Sequence, residues 1–159
     1  MTEPRWLSPE ELNAWRNLAL VTLVLPGRLE EALHCNGLNF FEYSTLAALS
    51  DAPDRTIQMS SLAQLSNGSL SRLSHAAKRL EKRGWIRRQT SPDDRRVTLA
   101  TLTDEGYTKL VEVAPAHVES VRQAVFDALT PEQVAQLDEI CGTLAQHINP
   151  GGRPWDTAE

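Results

Sequence analysis

Apolar residues recur at three- or four-residue spacing along most of the chain, so helices dominate the expected fold. Leu12, Trp15, Leu18, Val21, Leu25, Leu29 and Leu33 form one long stripe. Ser8-Pro9-Glu10-Glu11 opens that helix as a capping box with Pro at the first helical position. Pro26-Gly27 falls inside the stripe and predicts a kink or a break. A second cap-like start at Asn39-Phe40-Phe41-Glu42 leads to Tyr43, Leu46 and Leu49, and the turn Asp51-Ala52-Pro53-Asp54 ends it.

Met59, Leu62, Ala63 and Leu65 predict a short helix ending near Ser66, and a helix opening at Ser69 carries Leu70, Leu73, Ala76 or Ala77, and Leu80 on one face. Asn67-Gly68-Ser69 supplies turn and cap residues between them, and Gly84 is a stop signal after Lys82-Arg83. The period then changes. Trp85 to Thr90 reads as a strand, and Val97 to Leu102 alternates as a half-buried strand does. Ser91-Pro92-Asp93-Asp94-Arg95-Arg96 between them is a turn.

Thr103-Asp104-Glu105 opens a long helix through Tyr107, Leu110, Val111, Val118, Val121, Val125 and Leu129, with a kink expected at Pro115. Thr130-Pro131-Glu132-Gln133 is a third capping box, followed by Val134, Leu137, Ile140, Cys141, Leu144 and Ile148 in helical register. With no companion domain to cover them, the apolar faces of the first and last helices are expected to bury against each other and a second subunit. The tail 150–159 reads as flexible.

Charge changes the picture in the middle of the chain. From Gly68 to Arg96, nine Lys/Arg (Arg72, Lys78, Arg79, Lys82, Arg83, Arg87, Arg88, Arg95 and Arg96) face three acids (Glu81, Asp93 and Asp94). These 29 residues therefore carry +6, and with a net charge of -5 the other 130 carry -11. A basic run can be no more than a solvated helix face. Here it coincides with a short helix, a turn, a second helix with a polar outer face and a hairpin: a helix-turn-helix followed by a wing. Such a surface is expected to meet the phosphates of nucleic acid. Ser71, Arg72, Ser74 and His75 lie where side chains reach base edges, and Lys78 and Arg79 where they reach phosphates. Arg95 and Arg96 at the wing tip suit a narrow minor groove, with Asp94 placed to pair with Arg96.

The run SPDDRRVTLATLTDEG from Ser91 to Gly106, with LSRLSHAAKRLEKRGWIRR from Leu70 to Arg88, resembles the winged-helix core of the MarR family of bacterial transcriptional regulators. The resemblance extends from about Leu12 to His147. It implies a mainly α fold with a small β hairpin: a single domain, 8–148, with a winged helix-turn-helix lobe at 39–102 and dimerisation helices at 8–38 and 103–148. It also implies a homodimeric repressor, associated with stress response, on a pseudo-palindromic double-stranded DNA operator. Carried onto this sequence, Ser69, Ser71, Arg72, Ser74, His75 and Arg79 fall on the recognition helix and Asp94, Arg95 and Arg96 on the wing. Many members are released from DNA by a small aromatic ligand bound between the lobes. Trp15, His34, Phe41 and Tyr43 are the residues expected to meet such an effector.

Other classes are disfavoured. The four histidines lack metal-ligand spacing and no nucleotide-binding or hydrolase motif occurs, so neither an enzyme, a metal site nor a cofactor is expected. The longest apolar stretch, Leu18 to Leu25, is far shorter than the roughly 20 residues of a membrane span, and the N-terminus lacks signal-peptide character, so a cytoplasmic protein without membrane contact is expected. Cys141 reads as a small core residue. Cys35, beside His34, leaves open a redox-responsive regulator, and a winged helix serving only protein interaction is the other alternative.

Overall fold

A computed structural model describes residues 4–66 and 68–148. The tail at 150–159 and Asn67 lie outside the described residues. Six helices and a small sheet follow in the order α1 (Pro9–His34), α2 (Phe40–Asp51), β1 (Thr56–Gln58), α3 (Met59–Leu65), α4 (Leu70–Lys82), β2 (Ile86–Thr90), β3 (Thr98–Leu102), α5 (Asp104–Ala124) and α6 (Pro131–Ile148). Short 3-10 turns at Pro53–Arg55 and Phe126–Ala128 join α2 to β1 and α5 to α6. The mainly α winged-helix architecture is the one expected.

The three capping boxes are present. The Ser8 and Asn39 side chains accept from the backbone N–H of Glu11 and Glu42, whose carboxylates accept in return from the cap N–H. Thr130 and Gln133 exchange the same pair of hydrogen bonds.

Neither internal proline ends its helix. Pro26 lies inside a continuous α1 and Pro115 inside α5. A proline in mid-helix removes one N–H donor, and the turns on either side of it keep their own hydrogen bonds. Leu29 and Leu33, beyond Pro26, are the buried residues of α1. α5 stops at Ala124, so Val125 and Leu129 fall in the linker rather than on the helix.

β3 is the middle strand of an antiparallel sheet ordered β1-β3-β2, with Ala100 opposite both Ile57 and Arg88. The strand β1 is not signalled in the sequence. Its three residues pair with Leu99, Ala100 and Thr101, and the hydroxyls of Thr56 and Thr101 meet at 2.9 Å. One core runs through α2, α3, α4 and the sheet, and draws in Leu33 of α1 and Leu110 and Val113 of α5. α6 buries no residue, and Trp15, Val21, Leu23, Val118, Ile140 and Ile148 all stand exposed on α1, α5 and α6.

Candidate nucleic-acid interface

α3, the turn at Gly68 and α4 form the helix-turn-helix. Gly68 is required by close approach: a β-carbon there would sit 2.5 Å from Cε2 of Phe41. Ser69 caps α4, its hydroxyl accepting from the Arg72 N–H at 3.1 Å, so that oxygen is partly committed to the helix end. Leu73, Ala76, Ala77 and Leu80 are buried, while Ser71, Arg72, His75, Lys78 and Arg79 are exposed and Ser74 is half-buried. Arg87, Arg95 and Arg96 are likewise exposed on the wing.

Acidic residues hold several of these cations in place. At the wing tip the Arg96 side chain donates from Nε and Nη2 to Asp94 at 3.1 Å each, and its backbone N–H donates to the same carboxylate at 2.9 Å. Those donations, the side-chain one first, hold the Asp94 carboxyl below its usual range. Glu81 in the last turn of α4 grips β2: it accepts from the backbone N–H of Arg88 at 3.0 Å and from Nη2 at 2.7 Å, which lowers its own pKa. The angle between helix and wing is thereby tied down. A groove of about 240 Å³ lies between the two, lined by Gln58, Leu70, Ser74, Arg88, Arg96 and Thr98 among others.

Arg79, exposed on α4 as expected, is also tied to α2. Its Nε donates at 2.7 Å to Glu42 of α2, a carboxylate only 3% exposed, and Arg83 stands 3.9 Å from the other oxygen. Arg79 therefore braces α4 on α2, which limits its freedom to follow a phosphate. Arg72 has no acidic partner among the described residues. Its guanidinium carbon lies 4.4 Å from the centre of the Phe41 ring.

The MarR family profile matches residues 38–98. The crystal structure of Sco3205, a MarR family transcriptional regulator from Streptomyces coelicolor, in complex with DNA, is 44% identical with a TM-score of 0.87, covering 98% of this chain and 99% of that one. AbsC, a MarR family regulator from the same organism, is 37% identical with a TM-score of 0.84 over 92% of this chain and 99% of its own. The transcriptional repressor MprA of Escherichia coli is 32% identical over 117 residues, 74% of this chain and 66% of its own length. The chain belongs to the MarR family. It is a transcriptional regulator of that family and not an enzyme. No helix of the described residues is long and apolar enough to cross a membrane.

The effector residues expected for this MarR-family chain do not converge. Trp15 and His34 are exposed and separated by nineteen positions of α1, about 28 Å at 1.5 Å per residue. Phe41 and Tyr43 are two residues apart on a helix, about 200° around its axis, so they look opposite ways. Phe41 faces α4, and Tyr43 faces α5, where its ring centre is 4.4 Å from that of His117. Phe40, one turn before Tyr43, lies 6.1 Å from the same imidazole. Nδ1 of His117 is buried without a partner, and burial lowers the His117 pKa and raises that of Tyr43, whose ionisation Asp51 further opposes. His117 is one of four scattered histidines in the sequence, and only the packing of α5 on α2 distinguishes it. Cys141 is exposed rather than in the core because α6 packs no residue away within the protomer. Cys35 is also exposed.

Proposed function

We propose that the protein is a homodimeric repressor, acting in the cytoplasm, that binds a pseudo-palindromic operator. α4 of each protomer reads the major groove and the wing enters the flanking minor groove. The observation that carries this reading is the placement of Arg72 on α4 and Arg96 on the wing: both are exposed cations, and each is oriented by one neighbour, Phe41 or Asp94. Ser69, Ser71, Ser74, His75 and Lys78 supply polar contacts around Arg72, and Arg95 stands beside Arg96.

Dimerisation is supported by the apolar residues that α1, α5 and α6 leave exposed, including Val21, Leu23, Val118 and Ile140. Burying an apolar surface of this kind against a second copy is favourable by about 25 cal/mol per Å². Repression is supported by the likeness to MprA, described as a repressor. For release by a small aromatic ligand, Tyr43, one of the four residues expected from the sequence, together with Phe40 and His117 between α2 and α5, supports the reading.

Selection of genomic fragments by the full-length protein, followed by footprinting and in vitro transcription, tests the reading. The expected result is a protected inverted repeat with lowered transcription from the adjacent promoter. Sedimentation should give a dimer at micromolar concentration. Failure to enrich any fragment over random DNA would remove the sequence-specific reading, and a monomer would remove the two-fold operator.

A further inference from the structure

Taking α4 as the reading helix, on which this inference rests, we propose that Phe41 is a positioning residue that makes Arg72 a reader of guanine. Most arginines around this surface are already engaged. Arg79 is held by Glu42, Arg83 donates to the Gly37 carbonyl, Arg88 is held by Glu81 and Arg96 by Asp94. Each has at least one N–H donor committed within the protein. Arg72 is held by a ring instead.

A guanidinium stacked on an aromatic face is attracted to it without giving up any donor, because its N–H groups point outward in their own plane. The Phe41 ring is itself fixed. It is 6% exposed, and Gly68 packs so closely on its Cε2 and Cζ edge that a β-carbon would stand 2.5 and 2.7 Å away. Phe41 belongs to α2 and Arg72 to the first turn of α4, so the guanidinium rests 4.4 Å from a ring that belongs to the body of the lobe rather than being left to a free side chain. The first turn is the part of a recognition helix that meets base edges.

A planar fork with two parallel N–H donors matches two adjacent acceptors. In the major groove guanine offers O6 and N7 in that arrangement, whereas adenine sets a donor beside N7. An arginine whose head group is held in place before binding loses less freedom on forming both bonds.

The test uses the full-length chain and the operator obtained by fragment selection, with every position replaced in turn by each base. The wild type is expected to prefer guanine at one position of each half-site. Arg72→Ala removes that preference, and Arg72→Lys keeps the affinity for random DNA while losing most of it. Phe41→Leu is expected to weaken binding about two- to fivefold on the guanine operator and to leave the other three bases unchanged. In the Arg72→Ala background it should have no further effect, so a double-mutant cycle separates stacking from stability. Phe41→Met serves the same purpose should the leucine variant melt below the assay temperature. An equal loss on all four bases, or additive losses in the cycle, would overturn the platform role and leave Arg72 as reader. Base preferences untouched by Arg72→Ala would instead remove the assignment of α4 contacts, and the inference with it.

Discussion

Glu42 and Arg79 lie 37 positions apart and are joined by a 2.7 Å hydrogen bond in which the guanidinium Nε donates to a buried carboxylate. The same carboxylate caps α2, accepting from the Asn39 N–H at 3.3 Å. One acid thus closes the start of α2 and fastens α4 to it. Removing Arg79 leaves that buried charge short of its main partner, so Arg79→Met should cost about 1 to 3 kcal/mol of stability. Glu42→Gln, which removes the charge as well, should cost less. Urea unfolding of the two variants checks the order. An unchanged midpoint for Arg79→Met together with a large loss of DNA affinity would return Arg79 to the contact surface.

The wing makes a second prediction. Arg96→Ala should reduce affinity most for operators with A·T-rich flanks, where the minor groove is narrow and its potential most negative. Arg96→Lys should restore it only in part, since lysine keeps the charge and loses the planar fork. Asp94→Asn should act in the same direction but more weakly, by weakening the hold on Arg96. Titration against A·T- and G·C-flanked operators is the measurement, and a loss indifferent to the flanks would reduce the wing to a phosphate contact.

Gly106 in the first turn of α5 faces the backbone carbonyl of Trp85, and that oxygen is tied in place by the Thr103 N–H at 3.1 Å. A methyl group would collide with backbone that cannot step aside. Gly106→Ala should therefore destabilise by about 1 to 3 kcal/mol or more, read as a lower melting temperature. A variant as stable as the wild type would mean that the junction of β2 and α5 yields easily.

His117 predicts how stability follows pH. Burial lowers its pKa from the ordinary value of 6.5, so the unfolded chain takes up the proton before the folded one does. The contribution is constant above about 6.5, declines as pH falls from there toward the folded value, and is constant again below it. Melting temperatures measured between pH 7.5 and 5.5 should fall with acidity by less in His117→Phe than in the wild type. Equal slopes would place the pH dependence elsewhere.

Much of the fold is legible because its signals are local. Caps at Ser8, Asn39 and Thr130 join residues three apart, and the wing joins two strands through one turn. Such contacts need no knowledge of the rest of the chain. β1 was not legible, since three residues show no alternation and their partner strand lies more than forty positions away. At Pro26 the local rule allows a kink or a break, and only the neighbouring turns, which keep their hydrogen bonds, decide that α1 is not broken there.

The candidate site divides along the same line. Residue type and spacing placed Arg72, Lys78, Arg95 and Arg96 on exposed positions of α4 and the wing, because an apolar stripe and a charged turn fix which side chains face outward. Sequence alone could not say which neighbour each face of α2 would meet. Phe40 and Tyr43 share the face turned to His117, and Phe41 and Glu42 reach Arg72 and Arg79. Helical periodicity separates those two sets of residues. Only the packing of α2 between α4 and α5 decides that one set meets the arginines of α4 while the other surrounds an unpartnered histidine.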